Sequence, residues 1–129
     1  MRVLYVDDEE SNRRVIGSML KKVGVEMAEA EDADAGLWMI AARDYDLVLM
    51  DVRMPGKDGL SAIREIRAHE GAKAEVPIIV VTADDAYDIR VRSRAVGAND
   101  VLIKPVAKED LYAAIGRAVP SWTGHKAAS

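Results

Sequence analysis

Four short apolar runs in this chain each end in a residue that can bind metal or phosphate. Val3-Leu4-Tyr5-Val6 ends in Asp7-Asp8, and Leu47-Val48-Leu49-Met50 ends in Asp51. Ile78-Ile79-Val80-Val81 ends in Thr82, and Asp100-Val101-Leu102-Ile103 ends in Lys104-Pro105. Continuous apolar runs of this length read as strands buried on both faces, the pattern of a parallel sheet. Longer segments of helical period alternate with them, which predicts an α/β fold with helices on both faces. In open parallel sheets the ligand site lies outside the carboxyl ends of the strands. Three carboxylates, a hydroxyl and an ammonium are thus expected at one sheet edge. That set suits Mg²⁺ binding and phosphoryl chemistry on a carboxylate.

At 129 residues the chain has the length of one ordinary domain, and half of its residues are apolar. The 18 basic residues stand against 22 acidic ones, a net charge of −4. With no like-charge block or basic patch, direct nucleic-acid binding has no support. Absence of cysteine excludes disulfides and thiolate catalysis and fits a reducing cytosol, so a cytoplasmic location is expected. No apolar run is long enough for a signal-peptide core or a membrane span.

Val15, Ile16, Met19, Leu20 and Val23 trace one face of a first helix, from about Glu10 to Val23, with Gly24 as its cap. Val25 to Ala30 reads as an edge strand with one polar face. A second helix begins near Asp32, a candidate N-cap, and is expected to bury Leu37, Ile40 and Ala41. Asp58 is placed to cap a third, with Leu60, Ile63 and Ile66 inward. The fourth, about Ala86 to Val96, ends at Gly97 and has the poorest stripe: Ile89, Ser93 and Val96 inward, Arg90, Arg92 and Arg94 around them. The fifth, about Lys108 to Val119, is expected to bury Leu111, Ile115, Ala118 and Val119. Trp38 and Trp122 are candidate exposed aromatics. The domain is expected to span 1–119, with 120–129 a disordered tail.

Each chemical residue also has a bland account. Asp7 and Asp8 stand before a helix, where acids are favoured. That accounts well for Glu9 and Glu10, and less well for a pair at a strand end beside a third carboxylate. Two carboxylates ~4 Å apart repel by about 4 kcal/mol at an effective dielectric of 20, so such a cluster needs a cation or a proton. Asp51 is either a solvated strand end or a nucleophile that forms an acyl phosphate. The loop after it, Val52-Arg53-Met54-Pro55-Gly56-Lys57-Asp58-Gly59, is rich in turn residues. Thr82 alone is an ordinary strand residue and Lys104 alone a surface lysine. Beside an acyl phosphate, Thr82 would donate a hydrogen bond and Lys104 would neutralise charge. Pro105 makes a cis peptide one option there.

Asp7-Asp8, Asp51 within Leu49-Met50-Asp51-Val52-Arg53-Met54-Pro55-Gly56-Lys57-Asp58-Gly59, Thr82-Ala83, Gly97-Ala98-Asn99-Asp100 and Lys104-Pro105 stand in one order along the chain. In that order, over about Met1 to Val119, the chain resembles the receiver domain of bacterial two-component response regulators. The resemblance implies a flavodoxin-like, doubly wound five-stranded parallel sheet of order 2-1-3-4-5. It implies that Asp51 is phosphorylated by a histidine kinase or a histidine phosphotransfer protein. Mg²⁺ would be bound directly by Asp8, Asp51 and the backbone carbonyl of Arg53, with Asp7 acting through water. Thr82, the backbone amide of Ala83 and Lys104 would hold the phosphoryl oxygens. Phosphorylation would then reshape the surface of the fourth helix, fifth strand and fifth helix for a downstream protein or onward phosphotransfer. One position departs from the pattern: three residues before the lysine the family usually has Tyr or Phe, and here it is Val101.

The expected protein is thus a single-domain phospho-accepting switch, monomeric or weakly dimeric, that catalyses only its own phosphotransfer and dephosphorylation. Two alternatives stand beside it. A small Mg²⁺-dependent phosphohydrolase of the haloacid dehalogenase type also forms an aspartyl phosphate. Its nucleophile follows the first strand, with a second Asp two residues on, where this chain has Glu9. A phosphorylation-independent interaction module on the same fold is the other.

Overall fold

The computed structural model describes residues 1–85 and 87–123. Along the chain lie β1 (Arg2–Val6), α1 (Glu10–Lys21), β2 (Glu26–Ala30), α2 (Ala33–Ala42), β3 (Leu47–Met50) and α3 (Gly59–Arg67). A 3₁₀ turn (Gly71–Glu75), β4 (Ile78–Thr82), α4 (Tyr87–Ala95), β5 (Asp100–Ile103) and α5 (Lys108–Ala118) follow. The sheet has the order β2-β1-β3-β4-β5, and every neighbouring pair is parallel. This is the flavodoxin-like order, with β2 at one edge, where Glu26 and Glu29, one on each face, are exposed. Among the described residues no helix is long and apolar enough to cross a membrane.

Strand side chains alternate between two cores. Leu4 and Val6 of β1 join a cluster that includes Ile40 of α2, Ile63 of α3 and Ile89 of α4. Val3 and Tyr5 join the opposite cluster with Ile16 and Leu20 of α1 and Leu111 and Ile115 of α5. Thus β1, β3 and β4 are covered on both faces, which is why their sequences are apolar without interruption.

Helix limits agree with capping chemistry. Asp32 accepts from the Ala35 amide at 2.7 Å and Asp58 from the Ser61 amide at 2.8 Å, each satisfying an orphan donor of the first turn. Gly97 follows α4 with φ +111°, a conformation that favours glycine. α2 approaches β1 closely through Gly36, where an added Cβ would lie 2.7 Å from Val6 Cγ2.

Several inward positions differ from expectation. Val15 is 54% exposed, and α1 buries Ile16 and Leu20 instead. Ala41 is exposed, and α2 buries Ala33, Gly36 and Ile40. In each case the miss is a position next to a buried residue, about 100° around the helix. α5 buries Tyr112 and Ala114, while Ala118 and Val119 are half-buried. Tyr112 enters because its hydroxyl donates to the Met19 carbonyl at 2.6 Å, which satisfies the polar tip. Trp122 is half-buried, not exposed, with its ring centroid 6.3 Å from that of Tyr112. Trp38 is exposed as expected. The expected helix start at Ala86 and the tail at 124–129 lie outside the described residues.

α4 is the most thinly packed of the helices on its face. It buries Ile89 and Ser93, whereas α3 buries Gly59, Leu60, Ala62, Ile63 and Ile66. Tyr87 and Val91 face solvent, and the Ser93 hydroxyl is buried without a hydrogen-bond partner. An unsatisfied buried hydroxyl costs about 1–3 kcal/mol. Ser93→Ala should therefore stabilise the fold by roughly 1 kcal/mol, seen as a melting temperature raised by a few degrees. A lower melting temperature would show that the hydroxyl is satisfied.

Candidate functional site

The sheet register brings the chemical residues together. Val6 of β1 pairs with Met50 of β3, so the next residues, Asp7 and Asp51, leave adjacent strands side by side. The Asp51 amide donates to the Val6 carbonyl at 2.9 Å. Thr82 is the last residue of β4, paired with Ile103, and the Lys104 amide donates to the Thr82 carbonyl at 2.8 Å. The peptide between Lys104 and Pro105 is cis.

Lys104 reaches back across the strand ends. Its Nζ donates to Asp7 Oδ2 at 2.7 Å and to Asp51 Oδ2 at 3.3 Å. Asp7, Asp51 and Thr82 are buried, and Asp8 is exposed. Asp7, Asp8 and Asp51 each offer a carboxylate oxygen, and these oxygens lie within 4.8 Å of one another. The five side chains expected at one edge therefore stand at one edge.

Electrostatics separate the two buried carboxyls. Burial opposes ionisation of Asp7, but hydrogen bonds from Lys104, Tyr5 and the Glu9 amide outweigh it and hold Asp7 below the usual carboxylate range. Burial pushes Asp51 up to about 6; the Asp7 charge adds to this, and Lys104 offsets part of it. Lys104 is raised: burial disfavours its charge, yet its bonds to Asp7 and Asp51 prevail. One cation is thus shared by two carboxylates, and it favours Asp7 by distance. Near neutral pH Asp51 is ionised and imperfectly compensated, the state of a reactive oxygen nucleophile.

Hard oxygen donors with one exposed member fit Mg²⁺, which uses few carboxylates and keeps waters that a substrate oxygen can replace. The loop after β3 turns beside them: the Arg53 amide donates to Asp51 Oδ1 at 3.3 Å. The Arg53 side chain crosses the mouth to Asp84, with Nη2 2.6 Å from Oδ2. With Arg53 exposed and Asp84 half-buried, that pair ties the loop after β3 to the loop after β4. The Asp84 amide donates to Thr82 Oγ1 at 3.2 Å, which leaves the hydroxyl proton free to donate. Ala83, next in the chain, is exposed.

Three contributors escaped the sequence reading. The Tyr5 hydroxyl donates to Asp7 Oδ2 at 2.6 Å, and burial, then Asp7, push its phenol pKa up. Arg13 Nη1 donates to the Asp7 carbonyl at 2.6 Å. Gly59, the first residue of α3, packs against the Asp51 backbone. Tyr5 was findable, because residues two apart on a strand share a face. The other two needed the path of the chain.

Val101, the position that departs from the family resemblance, is buried in the cluster that includes Ile89 of α4. Its carbonyl lies 3.5 Å from Arg90 Nη1. Its side chain is β-branched, with few χ1 choices.

The pattern of the response regulator receiver domain family matches residues 3–116. The chain is 33% identical over 123 residues to Protein PilG of Pseudomonas aeruginosa, covering 95% of this chain and 90% of that protein. It is 34% identical over 122 residues to hybrid signal transduction histidine kinase G of Dictyostelium discoideum, covering 93% of this chain but 4% of the kinase. Against the cell cycle transcriptional regulator CtrA of Caulobacter vibrioides the identity is 31% over 125 residues, covering 97% of this chain and 53% of the regulator. The chain thus spans a small part of the first of these larger relatives and about half of the second. Among solved structures, it is similar to the receiver domain of a Pseudomonas aeruginosa sensor histidine kinase with a magnesium ion coordinated in its active-site cleft. That similarity has a TM-score of 0.85 at 36% identity and covers 93% of this chain and 98% of that one. Chemotaxis protein CheY4 of Vibrio cholerae matches with a TM-score of 0.84 at 28% identity, covering 91% and 97%. A sheet of order 2-1-3-4-5 and a family match over nearly its whole length place this chain in the response regulator receiver domain family of two-component signalling.

Proposed function

We propose that Asp51 accepts a phosphoryl group from the phosphohistidine of a histidine kinase or a histidine phosphotransfer protein. The observation that carries this is the buried Asp51 carboxylate, within reach of Lys104 and grouped with Asp7 and Asp8. Phosphorylation is general to the family, whose members are signalling switches and not typical enzymes. Receiver domains interact with histidine kinases or phosphotransfer proteins, and one relative above is itself a hybrid kinase. The family match does not favour the phosphohydrolase alternative.

An Asp51 oxygen attacks phosphorus, the phosphorus–nitrogen bond breaks, and the imidazole leaves with the bonding electrons. Asp8, Asp51 and the Arg53 backbone carbonyl would hold Mg²⁺, with Asp7 acting through water. Bound there, Mg²⁺ neutralises charge on the phosphoryl oxygens. Lys104 exchanges its carboxylate bond for a phosphoryl oxygen. Thr82 donates its hydroxyl proton to a second oxygen, and the Ala83 amide donates to a third. Water attacking phosphorus then breaks the acyl phosphate's phosphorus–oxygen bond, which releases inorganic phosphate and returns the Asp51 carboxylate.

The change passes outward through the loop after β4. Val101 is a poor rotameric switch, whereas α4 is thinly packed and carries an unsatisfied buried hydroxyl. The surface of α4, β5 and α5 therefore responds chiefly through α4, and it offers a downstream protein its state-dependent contact.

With Mg²⁺ and acetyl phosphate, Asp51 should gain one acid-stable, hydroxylamine-labile phosphoryl group, located by mass spectrometry of peptides. Asp51→Asn should abolish it. Labelling that persists in that variant, or that proceeds equally well in EDTA, would overturn the assignment.

A further inference from the structure

The proposed acceptor chemistry leaves a buried carboxylate to be accounted for. Asp7 is fully buried, and Lys104 is its cation. When Lys104 turns to the phosphoryl group, Asp7 loses that partner. With Mg²⁺ reaching it only through water, this buried carboxylate then depends on the direct donors that remain.

Tyr5 is the donor that remains on the oxygen Lys104 leaves. Its ring is fixed in the core between the sheet and α1 and α5, fully buried. Its hydroxyl donates at 2.6 Å to Asp7 Oδ2, the oxygen that Lys104 also holds at 2.7 Å. The other oxygen, Oδ1, accepts from the Glu9 amide at 2.9 Å and the Asn12 amide group at 3.5 Å. Oδ2 is therefore shared between a neutral donor locked by packing and a flexible cation that already touches Asp51 at 3.3 Å. A hydrogen bond to a charged group contributes more than a neutral one, and this one cannot move with Lys104.

We propose that Tyr5 is a positioning residue of the receiver site: its hydroxyl holds the Asp7 carboxylate while Lys104 transfers to the phosphoryl group on Asp51. It acts through Asp7 and touches neither phosphorus nor metal. The inference rests on Asp51 as the acceptor, and it adds a group supplied from the core beneath the site.

Tyr5→Phe keeps the ring and removes the hydroxyl. Two affinities are measured on the full chain: Mg²⁺ alone by isothermal titration calorimetry, and beryllofluoride, a phosphoryl mimic, at saturating Mg²⁺. Mg²⁺ alone does not require Lys104 to leave Asp7, so its affinity should stay the same or rise. The mimic requires that move, so its affinity should fall by about tenfold or more, which corresponds to the lower end of hydrogen bonds to charged groups. General damage to the site would weaken both. In the Asp7→Asn background the Tyr5→Phe loss should disappear, because the two act as one unit. Equal weakening of Mg²⁺ and mimic, no change in either, or full additivity with Asp7→Asn would each overturn the inference.

A readout without substitution of Tyr5 stands beside these. In Tyr87→Phe protein, which silences the exposed ring on α4, mimic binding should red-shift the tyrosine absorbance as the hydroxyl becomes the main donor to Oδ2. A flat tyrosine difference spectrum would overturn the inference even if Tyr5→Phe does not fold. Absence of mimic binding to the unsubstituted chain would instead bring down the Asp51 acceptor assignment, and this inference with it.

Discussion

Asp51→Asn should make the metal-free protein more stable by about 3 kcal/mol at pH ~8 and no more stable at pH ~4. Burial, with Asp7 nearby, raises the Asp51 carboxyl from 3.8 to about 6 in the folded protein. An unfolded aspartate titrates near 3.9. Between those values the folded state holds a proton that the unfolded state has released, so stability falls as pH rises through this window. Above pH ~6 the full cost is present: about two units at 1.36 kcal/mol each. Below pH ~4 both states are protonated and the cost vanishes. Asparagine carries no such cost at any pH, and Lys104 keeps its shorter bond to Asp7. Asp7 does not obscure the window. Its folded pKa is depressed, so its stabilisation is present above the unfolded value and lost only as pH falls through the lower folded one. Urea melts in EDTA across pH ~4 to ~8 would measure the difference. A pH-independent gap, or a less stable variant at pH ~8, would mean that Asp51 is not the strained carboxyl. Mg²⁺ bound to the unsubstituted protein should narrow the gap by linkage.

Gly59→Ala should cost roughly 3 kcal/mol or more and damage the site as well as the fold. A Cβ at Gly59 would overlap the Asp51 carbonyl oxygen and lie 2.8 Å from its carbonyl carbon and 2.9 Å from Val52 Cα. All three atoms are backbone, so no rotamer change relieves the overlap, and overpacking of this kind sits at the high end of its usual range. The alternative is for the Asp58-capped start of α3 to withdraw. That would break the 2.9 Å bond from the Gly59 amide to the Val52 carbonyl and displace the loop carrying Arg53. Denaturant melts should show the loss, and acetyl phosphate labelling of the folded fraction should slow. At Gly36 the obstacle is a valine side chain, so Gly36→Ala is expected to cost less. A Gly59→Ala protein as stable as the parent would mean that α3 can shift freely from β3.

The strand ends were legible because a buried parallel strand admits little except aliphatic residues. The position where Asp, Thr or Lys first appears is therefore the position where the strand leaves the core. That is why Asp7, Asp8, Asp51, Thr82 and Lys104 could be placed at one sheet edge before any coordinates. The N-caps Asp32 and Asp58 were legible for a related reason: each meets its partner within a few residues along the chain. Helix faces were legible in outline. Val15 and Ala41 were misplaced because periodicity locates an apolar arc, while packing decides which edge of that arc meets the sheet.

What the sequence by itself determined was the fold class, the strand ends and the residue types gathered there, all of which follow from local burial and local caps. The tertiary structure alone decided that Lys104 bridges Asp7 and Asp51 and that Arg53 ties one loop to Asp84 in another. It also decided that Tyr5 supports Asp7 from the core and that Gly59 lies against the Asp51 backbone. Apart from Tyr5 and Asp7, these partners are distant in sequence or depend on how closely a helix approaches the sheet. Their meeting is set by register and inter-layer distance, which no single run of residues encodes.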